Sequence, residues 1–200
     1  MLLKIRPIFF ALLLILLWDF TGITLELNFY ILLFFILPIW GYKRILYYQN
    51  NRTSFSIINE VIINIFFIYF LCVFYLTMNP FHFSPPSIRG NFNLNPFHDM
   101  IYQFRYRSLN YGLLYAGGNV LLLMPFGFLF PFISAQKLNL FKMTCYGFFI
   151  SLSIELTQYF FTTIRTGNID DLILNTFGSL IGYILFLILK MIVKEIKSQS

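Results

Sequence analysis

Charged and polar side chains interrupt two strongly apolar segments between Ser151 and Tyr183. A carboxylate inside a membrane span costs about 2.5–3.5 kcal/mol on insertion scales, so it needs a structural or functional reason to be there. Carboxylates can act as acid and base, and a guanidinium can bind phosphate or carboxylate. The candidate functional residues of this stretch are Glu155, Gln158, Arg165, Asp170, Asp171 and Asn175.

Helical spacing places these side chains on two facing surfaces. Glu155 and Gln158 are three residues apart, and Asp171 and Asn175 are four apart, so each pair shares one face of its helix. Arg165 lies in the connection between the two helices and is placed to pair with Glu155 or an aspartate. A buried carboxylate is tolerated when it is paired and hydrogen-bonded. We therefore expect the two faces to form one polar cluster.

Small residues and a proline are expected to shape the structure around this cluster. Gly178 and Gly182 form a G-x-x-x-G pair, which lets another helix approach closely. Pro125 lies in the preceding apolar run and frees a backbone carbonyl one turn earlier. Asn119, in the same run, is expected to lie at the depth of Glu155 and to join the cluster.

Several of these residues also have a purely structural interpretation. Asp170 or Asp171 could cap the helix that follows and complement its positive end. Gln158 and Asn119 could simply form hydrogen bonds between helices, and the glycine pair could serve packing alone. The sequence leaves these alternatives open.

The composition is that of an integral membrane protein. Of its residues 58% are hydrophobic and only 11% are charged, against about 25% charged in a soluble domain. The apolar runs are long enough for helical spans, whereas transmembrane strands would alternate in polarity. We predict an all-α, polytopic transmembrane helix bundle of about six spans, at residues 5–22, 26–42, 57–78, 113–134, 143–162 and 170–190.

The lysines and arginines predict the orientation. Ten of them collect on one side of the six spans and four on the other, which by the positive-inside rule makes the ten-residue side cytoplasmic. Both termini are then cytoplasmic, and the polar cluster faces the outside of the cell membrane. Because the basic residues lie at the ends of apolar runs, the net charge of +6 does not indicate nucleic-acid binding.

The longest predicted outer loop, residues 79–112, contains a short amphipathic helix before the fourth span. Asn95 is its expected cap and Pro96 its first residue, a structural role. Its apolar positions follow at helical spacing and predict a helix lying on the membrane surface. His82, His98 and Asp99 lie in this loop but match no metal-binding signature, so we expect neither a metal nor a cofactor.

Five pieces of the chain form a recognisable pattern: NLNPF (93–97), GNVLLLMPFGF (118–128), SLSIELTQ (151–158), Arg165 and DDLILNTFG (170–178). Together they resemble the VanZ-like membrane proteins of Gram-positive bacteria, over about residues 61–190. One departure is that Gly167 and Asn168 stand where the family pattern tends to place its first acidic residue.

The resemblance implies a role in the cell envelope. The founding member of the family is linked to low-level resistance to teicoplanin, a lipoglycopeptide that binds wall precursors at the outer membrane surface. It implies that the cluster binds or acts on a lipid-linked precursor or such a drug, and that the chain contributes to resistance. The expected organisation is two N-terminal spans with a cytoplasmic loop (1–56), a VanZ-like domain (57–195) and a cytoplasmic tail (196–200).

Two other functions remain open. In a membrane-embedded lipid-modifying enzyme, Glu155 and Asp171 would act as acid and base, with their pKa values separated by environment. In a small lipid transporter, the helix containing Pro125 would be the broken element, but the sequence has neither an inverted repeat nor a polar path through its inner half. No reaction follows from the resemblance, so catalytic residues stay unknown.

Overall fold

The computed structural model describes residues 13–51, 56–85, 88 and 91–199, and almost all of these are helical. One π-helical turn, Gln103–Arg107, joins the fourth and fifth helices. The predicted all-α membrane fold is confirmed. The helices are, in chain order, α1 (13–21), α2 (Phe29–Asn51), α3 (Ile57–Met78), α4 (His98–Tyr102), α5 (Leu109–Ile133), α6 (Leu140–Phe161) and α7 (Ile169–Gln199).

Four of the described helices, α2, α3, α5 and α7, are long and apolar enough to cross a membrane. The helix α6 also overlaps a predicted span but is not among these four. The first predicted span lies partly outside the described residues. Four of the basic residues used to predict the orientation also lie outside them: Lys4, Arg6, Arg52 and Arg89. The count of six spans and the orientation therefore stay predictions.

Two pairs of two-residue strands lie in the connections. Strand β1 (Leu25–Glu26) pairs antiparallel with β2 (His82–Phe83), and β3 (Phe92–Asn93) pairs with β4 (Gly167–Asn168). The first pair also joins two side chains, since His82 Nδ1 lies 3.1 Å from Glu26 Oε1. The strand β4 is buried and leads directly into α7.

The chain forms two compact units. Unit 1 consists of the described parts of residues 1–55, 75–92 and 156–167. Unit 2 consists of residues 56–74 and 93–155 and the described part of 168–200. The helices α3 and α6 each contribute to both units, while α5 and α7 lie entirely in unit 2.

Aromatic packing holds unit 1 together. The ring of Phe29, at the start of α2, lies 4.9 Å from that of Tyr75 and 5.3 Å from that of Phe81. Phe81 is almost completely buried. Trp18 of α1 stacks on Phe161, with ring centroids 6.0 Å apart. These rings join the N-terminal helices to the ends of α3 and α6.

The core of unit 2 lies among α3, α5, α6 and α7. Leu123 and Phe126 of α5, Met143 of α6 and Tyr183 of α7 are buried together, and Phe66 of α3 packs against them. Burying a large apolar side chain contributes about 1.5–3 kcal/mol in water, but lipid is itself apolar, so close packing stabilises this core.

The helix α5 continues through Pro125. Proline has no N–H, so the carbonyl of Leu121 loses its usual helical donor. The hydroxyl of Tyr69 donates to the adjacent carbonyl of Leu122 at 2.7 Å. A side chain of α3 thus supports the α5 backbone next to the proline.

The helices α5 and α7 approach each other at glycines. A Cβ atom on Gly178 would lie 2.0 Å from the carbonyl oxygen of Val120, and one on Gly182 would lie 1.9 Å from that of Met124. Both distances are far below an ordinary van der Waals contact. Only glycine fits at these two positions with the helices at their observed separation.

The short helix α4 begins later than predicted. Asn95 and Pro96 lie in a turn, Phe97 adopts the left-handed conformation with φ of 62°, and α4 starts at His98. The expected Asn95 cap and Pro96 start are therefore wrong. The reason is a contact from elsewhere in the chain, because the backbone N–H of Phe97 donates to the carboxylate of Asp170.

The apolar residues of this segment divide between two environments. Met100 and Phe104 are half-buried, whereas Phe97 and Ile101 are exposed. The ring of Phe104 lies so close to Gly112 of α5 that a Cβ there would be 2.4 Å from it. One edge of the segment therefore packs on the protein and the other is free to meet lipid.

Candidate functional site

Asn168 is the centre of a buried hydrogen-bond network in unit 2. Its backbone N–H donates to Glu155 Oε2 at 2.8 Å. Its side-chain Nδ2 donates to Asp99 Oδ2 at 2.7 Å and to the hydroxyl of Tyr115 at 3.1 Å. Its Oδ1 accepts from the backbone N–H of Asp170 at 3.0 Å. One asparagine thus connects α4, α5, α6 and the start of α7.

Asp171 is held by two side chains of α5. The Tyr115 hydroxyl donates to Asp171 Oδ1 at 2.5 Å, and Asn119 Nδ2 donates to the same oxygen at 3.0 Å. Asn119 also donates to the carbonyl of Tyr115 at 3.2 Å. Tyr115 and Asn119 are four residues apart, which places them on one face of α5. Asn119 therefore contacts one of the acidic residues, and its share in a functional site stays a prediction.

Asp170 caps α4 instead of its own helix. Its carboxylate accepts from the backbone N–H groups of Phe97 and Met100, the latter at 3.0 Å. At the start of α7 the cap is Asn168, whose Oδ1 accepts from the second helical residue. The alternative that Asp170 caps α7 is therefore wrong, because its side chain is engaged with the turn before α4.

Glu155 of α6 and Asn175 of α7 are both buried. Each is only 1% exposed. Asn175 Nδ2 donates at 3.1 Å to Ser151 Oγ, which lies one turn before Glu155 on α6. Asn175 Oδ1 has no hydrogen-bond partner among the described residues. A buried acceptor without a partner is costly and leaves a hydrogen-bonding position open to a donor.

Four carboxylates gather in this network, and we call Asp99, Glu155, Asp170 and Asp171 the acidic cluster. In the part of the chain that the structure describes, their one ion-pair partner is His98, whose Nδ1 lies 2.9 Å from Asp99 Oδ1. Among the described residues, the cluster therefore has more carboxyl groups than ion-pair partners. An amine or another proton donor is the chemistry that complements such a site.

Asp99 is the member of the acidic cluster that lies outside the spans. Partial burial acts to raise the pKa of Asp99, but hydrogen bonds from His98, Asn93 and Asn168 outweigh it and lower this pKa below its ordinary value. Asp99 is thus a carboxylate at neutral pH.

Over residues 13–51, 56–85, 88 and 91–199, no group of three or more His, Cys, Asp or Glu side chains is arranged to hold a metal ion.

Gln158 and Arg165 belong to unit 1 and bind backbone carbonyls there. Gln158 Nε2 donates to the carbonyl of Thr77 at 2.9 Å. Arg165 donates through Nε and Nη2 to the carbonyl of Asn79, at 3.1 and 2.8 Å, and through Nη2 to that of Leu76 at 3.3 Å. These contacts hold the end of α3. That Gln158 and Arg165 belong to the same functional site as the acidic cluster stays a prediction.

Sequence reasoning missed Asn168, Tyr115 and Ser151, and it considered Asp99 only as a metal ligand. The departure from the family pattern at Asn168 was the one available signal, since it put an amide where an acidic residue was expected. Tyr115 stands four residues before Asn119, but one tyrosine among 13 carries little information.

Comparison with known proteins agrees with the resemblance seen in the sequence. The family described as VanZ/LLP1 matches residues 66–190, a stretch that includes the whole acidic cluster. Neither a curated protein nor a solved structure matches the chain. Because the family match covers more than half of the 200 residues and the fold is that of an apolar helical membrane protein, the chain belongs to the VanZ/LLP1 family.

Proposed function

We propose that the acidic cluster binds an amino-bearing cell-envelope molecule at the outer leaflet, either a lipid-linked wall precursor or a teicoplanin-type lipoglycopeptide. The observation that carries the proposal is four carboxylates around Asn168 with one histidine as their ion-pair partner in the described residues. Through this binding the protein contributes to resistance against such drugs.

Each polar residue has a distinct part in this proposal. Glu155 and Asp171 accept hydrogen bonds from the ammonium group of the ligand, since a charge-assisted pair is roughly twice as strong as a neutral one. Tyr115 and Asn119 orient Asp171 for this contact. Asn175 Oδ1 offers a further acceptor, because it has no partner in the described part of the protein.

Drug sensitivity of a deletion strain tests the proposal in cells. The strain is complemented with the wild-type chain, with Glu155→Gln, with Asp171→Asn, or with Glu195→Gln as a matched control. Glu195 lies on the exposed end of α7, so its change removes the same charge away from the cluster. We expect the wild type and the control to restore teicoplanin resistance and the two cluster variants to fail at equal membrane levels. Unchanged sensitivity on deletion would refute the resistance role.

Direct binding tests the recognition chemistry. The purified full chain in detergent is titrated with teicoplanin and with a derivative whose amino group is acetylated. We expect the acetylated form to bind at least about tenfold more weakly, which corresponds to the loss of one charge-assisted contact of about 1.5–3 kcal/mol. Equal affinity for both forms would exclude amine recognition by the carboxylates.

An enzyme acting on envelope lipids is the second candidate. It is favoured by the hydrogen bond from the Tyr115 hydroxyl to Asp171, together with the burial of Glu155. In this candidate the two carboxylates act as acid and base at the outer interface. Lipids and peptidoglycan from the deletion strain and from the Glu155→Gln strain are compared by mass spectrometry. A modified species present in the wild type and absent from both strains would favour the enzyme over the binding protein.

A further inference from the structure

A cavity of about 350 Å³ lies in unit 2 at the end of α5 and beside α7. Two lysines, Lys137 and Lys190, and the amide-bearing Gln136 are among its lining residues. The other lining residues are apolar or aromatic, including Tyr183 and Phe186, and none is acidic. The cavity therefore joins positive charge to an apolar wall.

The aromatic wall of the cavity is fixed by its own contacts. Tyr183 is only 3% exposed, and its hydroxyl donates to the carbonyl of Leu138 at 2.7 Å. Phe186 stacks on Tyr183 with centroids 6.1 Å apart and meets Phe132 edge-on at 5.0 Å. Because these contacts already fix the wall, a ligand would not have to order its side chains on binding.

Helix geometry separates the cavity from the acidic cluster by about the thickness of the hydrocarbon layer of a membrane. Asp171 and Lys190 both lie on α7, and at about 1.5 Å per residue the helix carries them about 28 Å apart along its axis. This is close to the hydrocarbon thickness of about 30 Å. If the acidic cluster lies at one interface, the lysines lie at the other.

We propose that this cavity binds the phosphate of an anionic phospholipid. The two lysines contact the phosphate as point charges, and the acyl chains lie along apolar lining residues such as Leu138 and Leu187. Basic cavities between membrane helices suit anionic head groups, because the negative surface potential adds to the direct contact. The site is separate from the acidic cluster and does not depend on the function of that cluster.

Lipid binding by the purified full chain tests the site. The chain in neutral detergent is titrated with acyl-labelled phosphatidylglycerol and, separately, with acyl-labelled phosphatidylcholine. We expect phosphatidylglycerol to bind more tightly, and Lys137→Gln/Lys190→Gln to weaken its binding by about 25-fold, since each lysine near an anionic interface contributes about fivefold. The matched control Lys43→Gln/Lys194→Gln removes the same charge outside the cavity and should bind like the wild type.

A charge-retaining variant and a competition experiment complete the test of lipid binding. Lys137→Arg/Lys190→Arg keeps both charges and should retain the preference for phosphatidylglycerol, which excludes a folding defect as the cause of the loss. Inorganic phosphate should not compete with the lipid at equal concentration, because it lacks the acyl chains. Equal affinity for the two lipids, equal loss in the control variant, or full competition by phosphate alone would each overturn the proposal.

Discussion

The glycine contact between α5 and α7 gives the sharpest prediction. Replacing Gly182 by alanine puts a Cβ atom 1.9 Å from the carbonyl oxygen of Met124, and replacing Gly178 puts one 2.0 Å from that of Val120. An ordinary contact begins near 3.4 Å, so the backbones must separate by roughly 1.5 Å to admit either methyl group. Both clashes are with backbone atoms, which cannot move aside as a flexible side chain can.

The size of the effect follows from two opposing contributions. Overpacking of a tightly packed core costs about 1–3 kcal/mol. Alanine in place of a helical glycine returns about 0.5–1 kcal/mol through lower chain entropy in the unfolded state. We therefore expect each variant to lose about 1–2 kcal/mol of unfolding free energy. One separation of the helices relieves both clashes, so Gly178→Ala/Gly182→Ala should lose less than the sum of the single variants.

Gly118 supplies the matched control, since a Cβ there meets nothing within 4 Å. Gly118→Ala should be neutral or more stable by up to about 1 kcal/mol. The assay is denaturant unfolding of the full chain in detergent micelles, followed by circular dichroism. If Gly182→Ala unfolds at the same midpoint as Gly118→Ala, α5 and α7 do not pack through these glycines and the reasoning fails.

Three further predictions concern the acidic cluster. Asn168→Ala should lower the unfolding free energy by about 1–3 kcal/mol, because it leaves buried groups without partners, whereas the exposed Asn59→Ala should not. Asp170→Ala should speed amide hydrogen exchange at the start of α4, and unchanged exchange would contradict its capping role. The lowered pKa of Asp99 means that its stabilising contribution is present above pH 3.9 or so and is lost as pH falls through the lowered pKa. Unfolding curves of the wild type and Asp99→Asn should therefore differ at pH 7 and converge at strongly acid pH.

Sequence reasoning placed the long helices well because it rests on the length of apolar runs. The predicted span 57–78 coincides with α3, and 143–162 differs from α6 by a few residues. It failed at the start of α4, where Pro96 and Asn95 carried a local helix signal. That signal was overridden by Asp170, which lies 73 residues after Phe97 in the chain. A local pattern contains no information about such a partner.

The polar site was predictable only in part, because a local sequence pattern does not show contacts between distant residues. Glu155 and Asp171 stand out because charge is rare in apolar runs, and the structure places both in the network around Asn168. Asn168 itself lies in a connection, where asparagine is ordinary, and its contact with Asp99 spans 69 residues. Whether these groups serve one ligand stays a prediction that the binding experiments decide.

The position of α7 at the end of the chain has a consequence for biosynthesis. This helix brings Asp171, Asn175 and the two glycines that seat it on α5, and it emerges from the ribosome after α5 and α6. Until then Glu155 lacks the backbone donor of Asn168. A chain stalled before α7 would thus present Glu155 without its observed donor, and this is the state that membrane quality-control proteases would meet.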